Sequence, residues 1–401
     1  MKTPHQLFVL ICLAGTALVS PAQATEVPPA IQAMFDNLER QTSIKPAYET
    51  IETDGSGTVT ISKMTMNKDS ASGDPAIKMM IDKVVLSGIA DQGNGLYEIG
   101  NATFSGMKVD MGAPDFSATI TAPEGHAEGW YVKVAGENAT PEETLRASMN
   151  VARRMTSGKI TVDMMGQSVT ADSYETIWDG DPATGAGKFN MKITNIAIPE
   201  QAIAMADQSG MLKQLGYNGL NFDVTSDGRF DLENGNIGLV MDFAVAGHEI
   251  GTMIFTLGAS GIPLAVYQEL QTAQKSGKEP DFGSLMPQIQ NITLEKFRFR
   301  FEDSSVTNRV LPLVASMQGM DQAALVANAG AMLQLGLMQL QNQEFTDNTV
   351  TAVSNYLKDP QSITVALKPA APIKVSDLMA LDPNAPGEAI KKLGVTVSSN
   401  E

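Results

Sequence analysis

The chain changes its hydrophobic period several times, and each change predicts an element. Residues 28–41 place Ile31, Met34, Phe35 and Leu38 three and four apart, the spacing of an amphipathic lead-in helix. From about residue 47 the period falls to two. Thr58 to Met66 alternates polar and apolar side chains, as a strand with one buried face does. The same texture runs through 84–135, 158–198 and 219–259. Asp54-Gly55 and Asn94-Gly95 are hairpin-type turn pairs. In Phe297-Arg-Phe-Arg-Phe301 three rings face one way and two guanidiniums the other.

Helical stretches interrupt this β-rich body. The spacing predicts helices from Pro141 to Met155, Pro199 to Leu215 and Pro263 to Ser276, each opening at a proline, a favoured first position. Beyond Asp303 further helices are expected at about 305–318, 321–343 and 346–357, then a strand Ser362–Leu367 and a short helix at 385–393. The fold class is therefore α+β: an extended, mostly antiparallel curved β-sheet with interspersed helices and a helical C-terminal region. The expected division is a signal peptide at 1–24, a β-rich region at 25–302, and a mainly helical region at 303–401 with a final strand, packed on the sheet. A weak internal repeat runs through Asn101, Asn195 and Asn291, which are 94 and 96 residues apart. It suggests a duplicated strand-strand-helix unit.

The first 24 residues change the compartment. Lys2, an apolar run from Leu7 to Val19 and the small-x-small pattern Ala22-Gln23-Ala24 form a secretory signal cleaved after Ala24. A lipidated Cys12 fits poorly, because Ile11 before it is large and the cysteine lies inside the run. Removing the segment deletes the single cysteine and one of the 28 bases, so 27 bases face 45 acids and the net charge moves from −17 to −18. An exported chain without disulfides holds together by ordinary burial, which suits a bacterial periplasm. The acidity argues against nucleic acid, whose phosphates need clustered Lys and Arg. Three sequons, at Asn101, Asn138 and Asn291, are read as inert there.

Candidate chemistry is sparse. Asp223, Asp227, Gly228 and Asp231 imitate a calcium loop, but Thr225 and Asn234 stand where ligands belong, and a hairpin turning at Asp227-Gly228 is the preferred reading. The 22 methionines beyond residue 24 offer thioethers for Cu(I), yet they are scattered, and core filling or lining of an apolar cavity explains them better. Ser105-Gly-Met-Lys108 has Ser-x-x-Lys spacing but lies in a strand-like run. His126 and His248 have no recognisable partner in the sequence, and Lys296, Arg298, Arg300 and Arg309 read as a solvated basic strand face. No cofactor and no metal is expected. From Gln322 to Gln343 there is no charged residue. A helix buried against the sheet is preferred there over membrane contact, with Leu325, Met332, Leu333, Leu337 and Leu340 as candidate lining for an apolar ligand.

The assembled features resemble the AsmA-like and YdgA-like periplasmic proteins. The local carriers are Leu294 to Asp303 leading into Ser305 to Val314, and Asp359-Pro-Gln-Ser-Ile-Thr-Val365, all in the later half of the chain. The resemblance implies an extended β-sheet and envelope lipid handling, and it transfers no catalytic residue. Those proteins often retain a membrane anchor, whereas Ala22-Gln-Ala24 points to release. The expected function is a non-enzymatic, periplasmic cell-envelope protein binding a lipid or other apolar small molecule along a sheet groove, with peripheral membrane or envelope-protein contact. A hydrolase using a carboxylate pair and a protein–protein scaffold are the alternatives.

Overall fold

The computed structural model describes residues 27–42, 44–69, 76–113, 116–136, 139–149, 151–207, 209–233, 235–276 and 280–401. The signal segment 1–24, with Ala22 and Ala24, lies outside them, as does Asn138. The molecule is α+β and mostly antiparallel, and it divides into two compact units at Asn195/Ile196.

The first unit opens with helix α1 (Pro29–Thr42) and then builds a meander: β1 (Thr50–Thr53), β2 (Val59–Lys68), β3 (Ala76–Gly93), β4 (Leu96–Ala113) and β5 (Phe116–Lys133). After α2 (Pro141–Ser148) come β6 (Ala152–Ser157), β7 (Ile160–Met164), β8 (Gln167–Ala171), β9 (Ser173–Gly180) and β10 (Gly187–Pro199). The Asn94-Gly95 pair does turn β3 into β4, with both residues at positive φ (52° and 69°), as a two-residue hairpin requires. Helix α2 closes a capping box: Thr140 Oγ1 accepts from Glu143 N at 3.2 Å and Thr140 N donates to Glu143 Oε2 at 2.8 Å. It stops at Ser148, not Met155, because residues 152–157 are claimed by pairing with β5.

Registers across this unit align in one respect that a single strand does not reveal. Ser62↔Lys83 and Met64↔Ile81 set Lys63 opposite Asp82, and the neighbouring pairs continue the row through Gly106, Pro123, Lys159, Asp172 and Asn195. Lys63, Gly106 and Asn195 in this row have positive φ (49°, 67°, 49°). A second row, six residues away on each strand, joins Gly57, Gly88, Gly100, Gly129 and Arg153. At both rows the inward face slips by one residue. On β3 the inward set is Ile77, Met79 and Ile81, then Val84 and Leu86; on β5 it is Ala118, Ile120 and Ala122, then Ala127, then Trp130 and Val132. A one-residue slip in one strand would turn its apolar set to solvent. Made on neighbouring strands at one level, it keeps a continuous core.

The second unit runs α3 (Glu200–Ala206), α4 (Met211–Gln214), β11 (Gly219–Glu233), β12 (Asn236–Gly247), β13 (Gly251–Pro263), α5 (Leu264–Ser276), α6 (Phe282–Ile289) and β14 (Thr293–Asp303). It continues with α7 (Val306–Met317), α8 (Gln322–Met338), α9 (Gln343–Lys358), β15 (Ser362–Leu367), β16 (Ile373–Lys374), α10 (Val375–Met379), α11 (Pro386–Leu393) and β17 (Val395–Ser399). Strands β11 to β14 form an antiparallel meander, β15 pairs with β14, and β17 with β15. Phe297, Phe299 and Phe301 share one face, and Phe255 packs on Phe299 at 5.0 Å between ring centroids.

Several expectations need correction. Strand β11 runs straight through Asp227-Gly228, paired with Asp242 and Met241, so the hairpin does not turn there; the chain reverses beyond Glu233, beside Gly235 (φ 72°). Asp-Gly is turn-prone locally, but an uninterrupted ladder with β12 outweighs that preference. The stretch Pro199–Leu215 is two short helices with Gly210 between them. The repeat asparagines are inequivalent: Asn101 lies within β4, Asn195 within β10 at positive φ, and Asn291 in the turn before β14. The uncharged helix α8 is not buried against a sheet. Its neighbours are α7 and α9, it buries only Val326, and Gly330 lies so close to α9 that an added Cβ would sit 3.3 Å from Ser354 Oγ.

Candidate functional site

The first unit holds an apolar cavity of about 340 Å³. Its roof is α1, fastened by Asn37, whose Nδ2 donates to Lys133 O at 2.9 Å, and by Phe35 stacked on Tyr48 at 5.6 Å. Met34 and Leu38, one turn apart, point from this helix into the space. The floor comes from β2 to β5: Met64, Met79, Ile81, Val84, Ala102, Met107, Ala122 and Ala127. Ala102 lies directly opposite Ala127, and Met107 opposite Ala122. Small side chains at adjacent inward positions leave the volume that larger ones would fill. Phe104 covers Gly125, where any Cβ would meet the ring. Trp130, Met149, Met155, Ile160 and Tyr174 close the other side.

Six methionines line this space (Met34, Met64, Met79, Met107, Met149 and Met155). Thioether chains have three rotatable bonds and a polarisable sulfur, so they adapt to apolar guests of different outline. The polar groups along the wall are Thr103, His126, Thr156, Ser157 and Tyr174, and Trp130 Nε1 is buried without a hydrogen-bond partner. The volume falls at the low end of the ~300–1,000 Å³ that holds small ligands. Lys83, Ser105 and Glu124 line a second, more polar depression of about 440 Å³, which shares Thr103, Phe104, His126 and Thr156 with the cavity. We take the apolar cavity as the site because its walls are predominantly apolar, as those of small-molecule sites are.

Four of the five candidate lining residues lie on α8, and Leu340 lies just beyond its end. Leu325, Leu333, Leu337 and Leu340 are half-buried, whereas Met332 faces solvent, and none of them lines the cavity. What the sequence reading missed was the cavity floor, whose signal is a methionine–alanine pattern on strands split by two phase slips. His248 gains a partner that only the fold supplies, its Nε2 lying 3.1 Å from Asp223 Oδ2, while His126 Nδ1 lies 3.6 Å from Oε1 of Glu128, two residues along the same strand. Ser105 lies in β4, and Lys108 is engaged by Asp110 at 2.8 Å. Hydrogen bonds from Lys108 and Thr119 outweigh the burial of Asp110 and hold its carboxyl below the usual range.

Arg300 and Arg309 are structural cations. Arg300 donates to Glu302 Oε1 at 2.8 Å, Thr364 Oγ1 at 3.1 Å and Glu401 O at 2.7 Å, while Arg309 stacks 4.4 Å above the Tyr217 ring. The acids of the calcium-like string share one face of a strand, and Asp227 lies opposite Asp242, which accepts from Thr256. Among the described residues, no group of three or more His, Cys, Asp or Glu converges as a metal site would require.

Residues 244–400 match the model of a family described as "Uncharacterized protein". The match lies wholly beyond Asn195 and includes none of the residues that line the cavity. No curated protein matches the chain.

Proposed function

We propose that the protein is a non-enzymatic cell-envelope protein of the periplasm, exported by a cleaved signal, that holds a lipid chain or similar apolar molecule in the cavity of its first unit. The observation that carries this reading is the methionine-lined space between α1 and the alanine floor of β4 and β5. The secretory pattern at the N-terminus and the resemblance to AsmA-like and YdgA-like proteins support the same reading, in which envelope lipid is the natural ligand pool.

The test is direct. Protein purified from a periplasm is analysed by native mass spectrometry, then delipidated and titrated with a fluorescent fatty acid. Saturable binding of one ligand per chain is expected, weakened about tenfold or more by Ala127→Phe, which fills the floor opposite Ala102. Ligand-free protein that takes up no fatty acid, or an Ala127→Phe variant that binds like the wild type, overturns the reading.

A further inference from the structure

Helix α8 presents an arrangement that water does not favour. A helix apolar on all sides is normally buried. Here the outward stripe carries Met332, Leu335 and Met338, exposed to 74%, 68% and 60%, and Met317 at the end of α7 is 73% exposed. The opposite stripe, with Val326, Leu333 and Leu337 half or fully buried, is occupied by α9, to which Gly330 gives close access. No charged side chain occurs between Gln322 and Gln343.

Two features separate the classes of partner that could cover this stripe. Protein interfaces are anchored by Trp, Tyr and Arg; the exposed positions of α8 are Ala, Met, Leu, Gly, Gln and Asn, with none of the three. By length and composition α7 and α8 together match a membrane-spanning segment, yet a 92° bend separates them, and no single helix among the described residues is long and apolar enough to cross. Met317, Gln318, Gly319, Met320 and Asp321 lie at that bend, and Asp321 caps the start of α8. The bend, the Asp321 carboxylate beside it and Arg309 within α7 argue against spanning, whereas the outward Met and Leu of the uncharged α8 fit shallow insertion into the acyl boundary.

We propose that the outward stripe of α8, with Met317, docks on a lipid bilayer surface through apolar insertion. The inference stands independently of the cavity. Because the stripe has no charge and the chain is acidic, binding does not rely on anionic lipid, and salt leaves it unchanged.

The test is flotation of the full chain with phosphatidylcholine vesicles at about 0.1 M and about 1 M NaCl, charges being screened within about 3 Å at the higher salt. Wild-type protein is expected to float equally at both. The Met332→Asp/Leu335→Asp/Met338→Asp variant is expected to bind about tenfold less or weaker still, with an unchanged circular dichroism spectrum. Leu335→Trp reports depth: brominated lipid should quench its emission, with Trp130 and Trp178 as the internal background. Wild-type protein that stays at the bottom of the gradient, or a triple variant that floats as well as wild type, overturns the proposal. A wild-type dimer that is lost in the triple variant and floats no vesicles assigns the stripe to a second copy instead.

Discussion

At the residue scale, the most informative side chain outside the cavity is Tyr356. It is buried in α9, where its hydroxyl donates to Asp303 Oδ2 at 3.0 Å and meets Thr307 Oγ1 at 2.6 Å. Burial pushes its pKa up to about 12; Thr307 opposes the shift and the Asp303 carboxylate adds to it. A pKa raised in the folded state means that the neutral phenol stabilises the fold fully below pH 10, and that this contribution fades as pH rises toward 12. Urea midpoints compared at pH 9 and above pH 11 should fall for wild type by the equivalent of on the order of 2 kcal/mol. In Tyr356→Phe, already somewhat less stable at pH 9 through the lost hydrogen bonds, the further fall should be much smaller. Equal slopes for the two proteins would contradict the assignment. No residue-level pattern in the sequence announces this group, because Asp303, Thr307 and Tyr356 are brought together by the return of α9 onto the end of β14.

At the element scale, the two rows of phase slips decide how long strands can share a core. Gly106 has φ 67°, and a Cβ there would sit 2.2 Å from Asp82 Oδ2. Gly106→Ala should therefore cost about 2 kcal/mol, combining left-handed strain with the clash. Asp82→Ala is expected to be mild, since its ion pair with Lys63 at 2.5 Å is half-exposed and such pairs contribute little. The double variant should recover part of the Gly106→Ala loss. Thermal melts of the four proteins close this cycle; strictly additive effects would mean that the clash does not govern the site. Alternation was legible strand by strand in Val59-x-Ile61 and Met64-x-Met66. The slip at Lys63 looks like noise in one strand and becomes a structural rule only when Asp82, Gly106 and Asp172 are found beside it.

At the scale of the whole molecule, the two units divide the chemistry. The first holds the methionine-lined cavity; the second holds most of the span that matches the family model and the exposed helix α8. Ligand that binds only the folded protein should raise stability by about 2.7 kcal/mol at a hundredfold excess over its Kd. A thermal shift on adding fatty acid to wild type, reduced in Ala127→Phe, checks this; an unchanged melt at saturating fatty acid would speak against a preformed site. The sequence by itself determined the α+β class, the lead-in helix, the hairpin at Asn94-Gly95, the three C-terminal helices near their observed limits and the acidic charge, because period, turn chemistry and composition are local properties. Tertiary structure alone decided that β11 runs through Asp227-Gly228, that α8 packs on α9 and shows Met332 and Leu335 to the outside, and that six methionines, from α1, from four strands and from the residue after α2, face one space. Each of those outcomes depends on which distant segment supplies the partner, and a pairing energy between residues far apart in the chain leaves no mark on the pattern of either one.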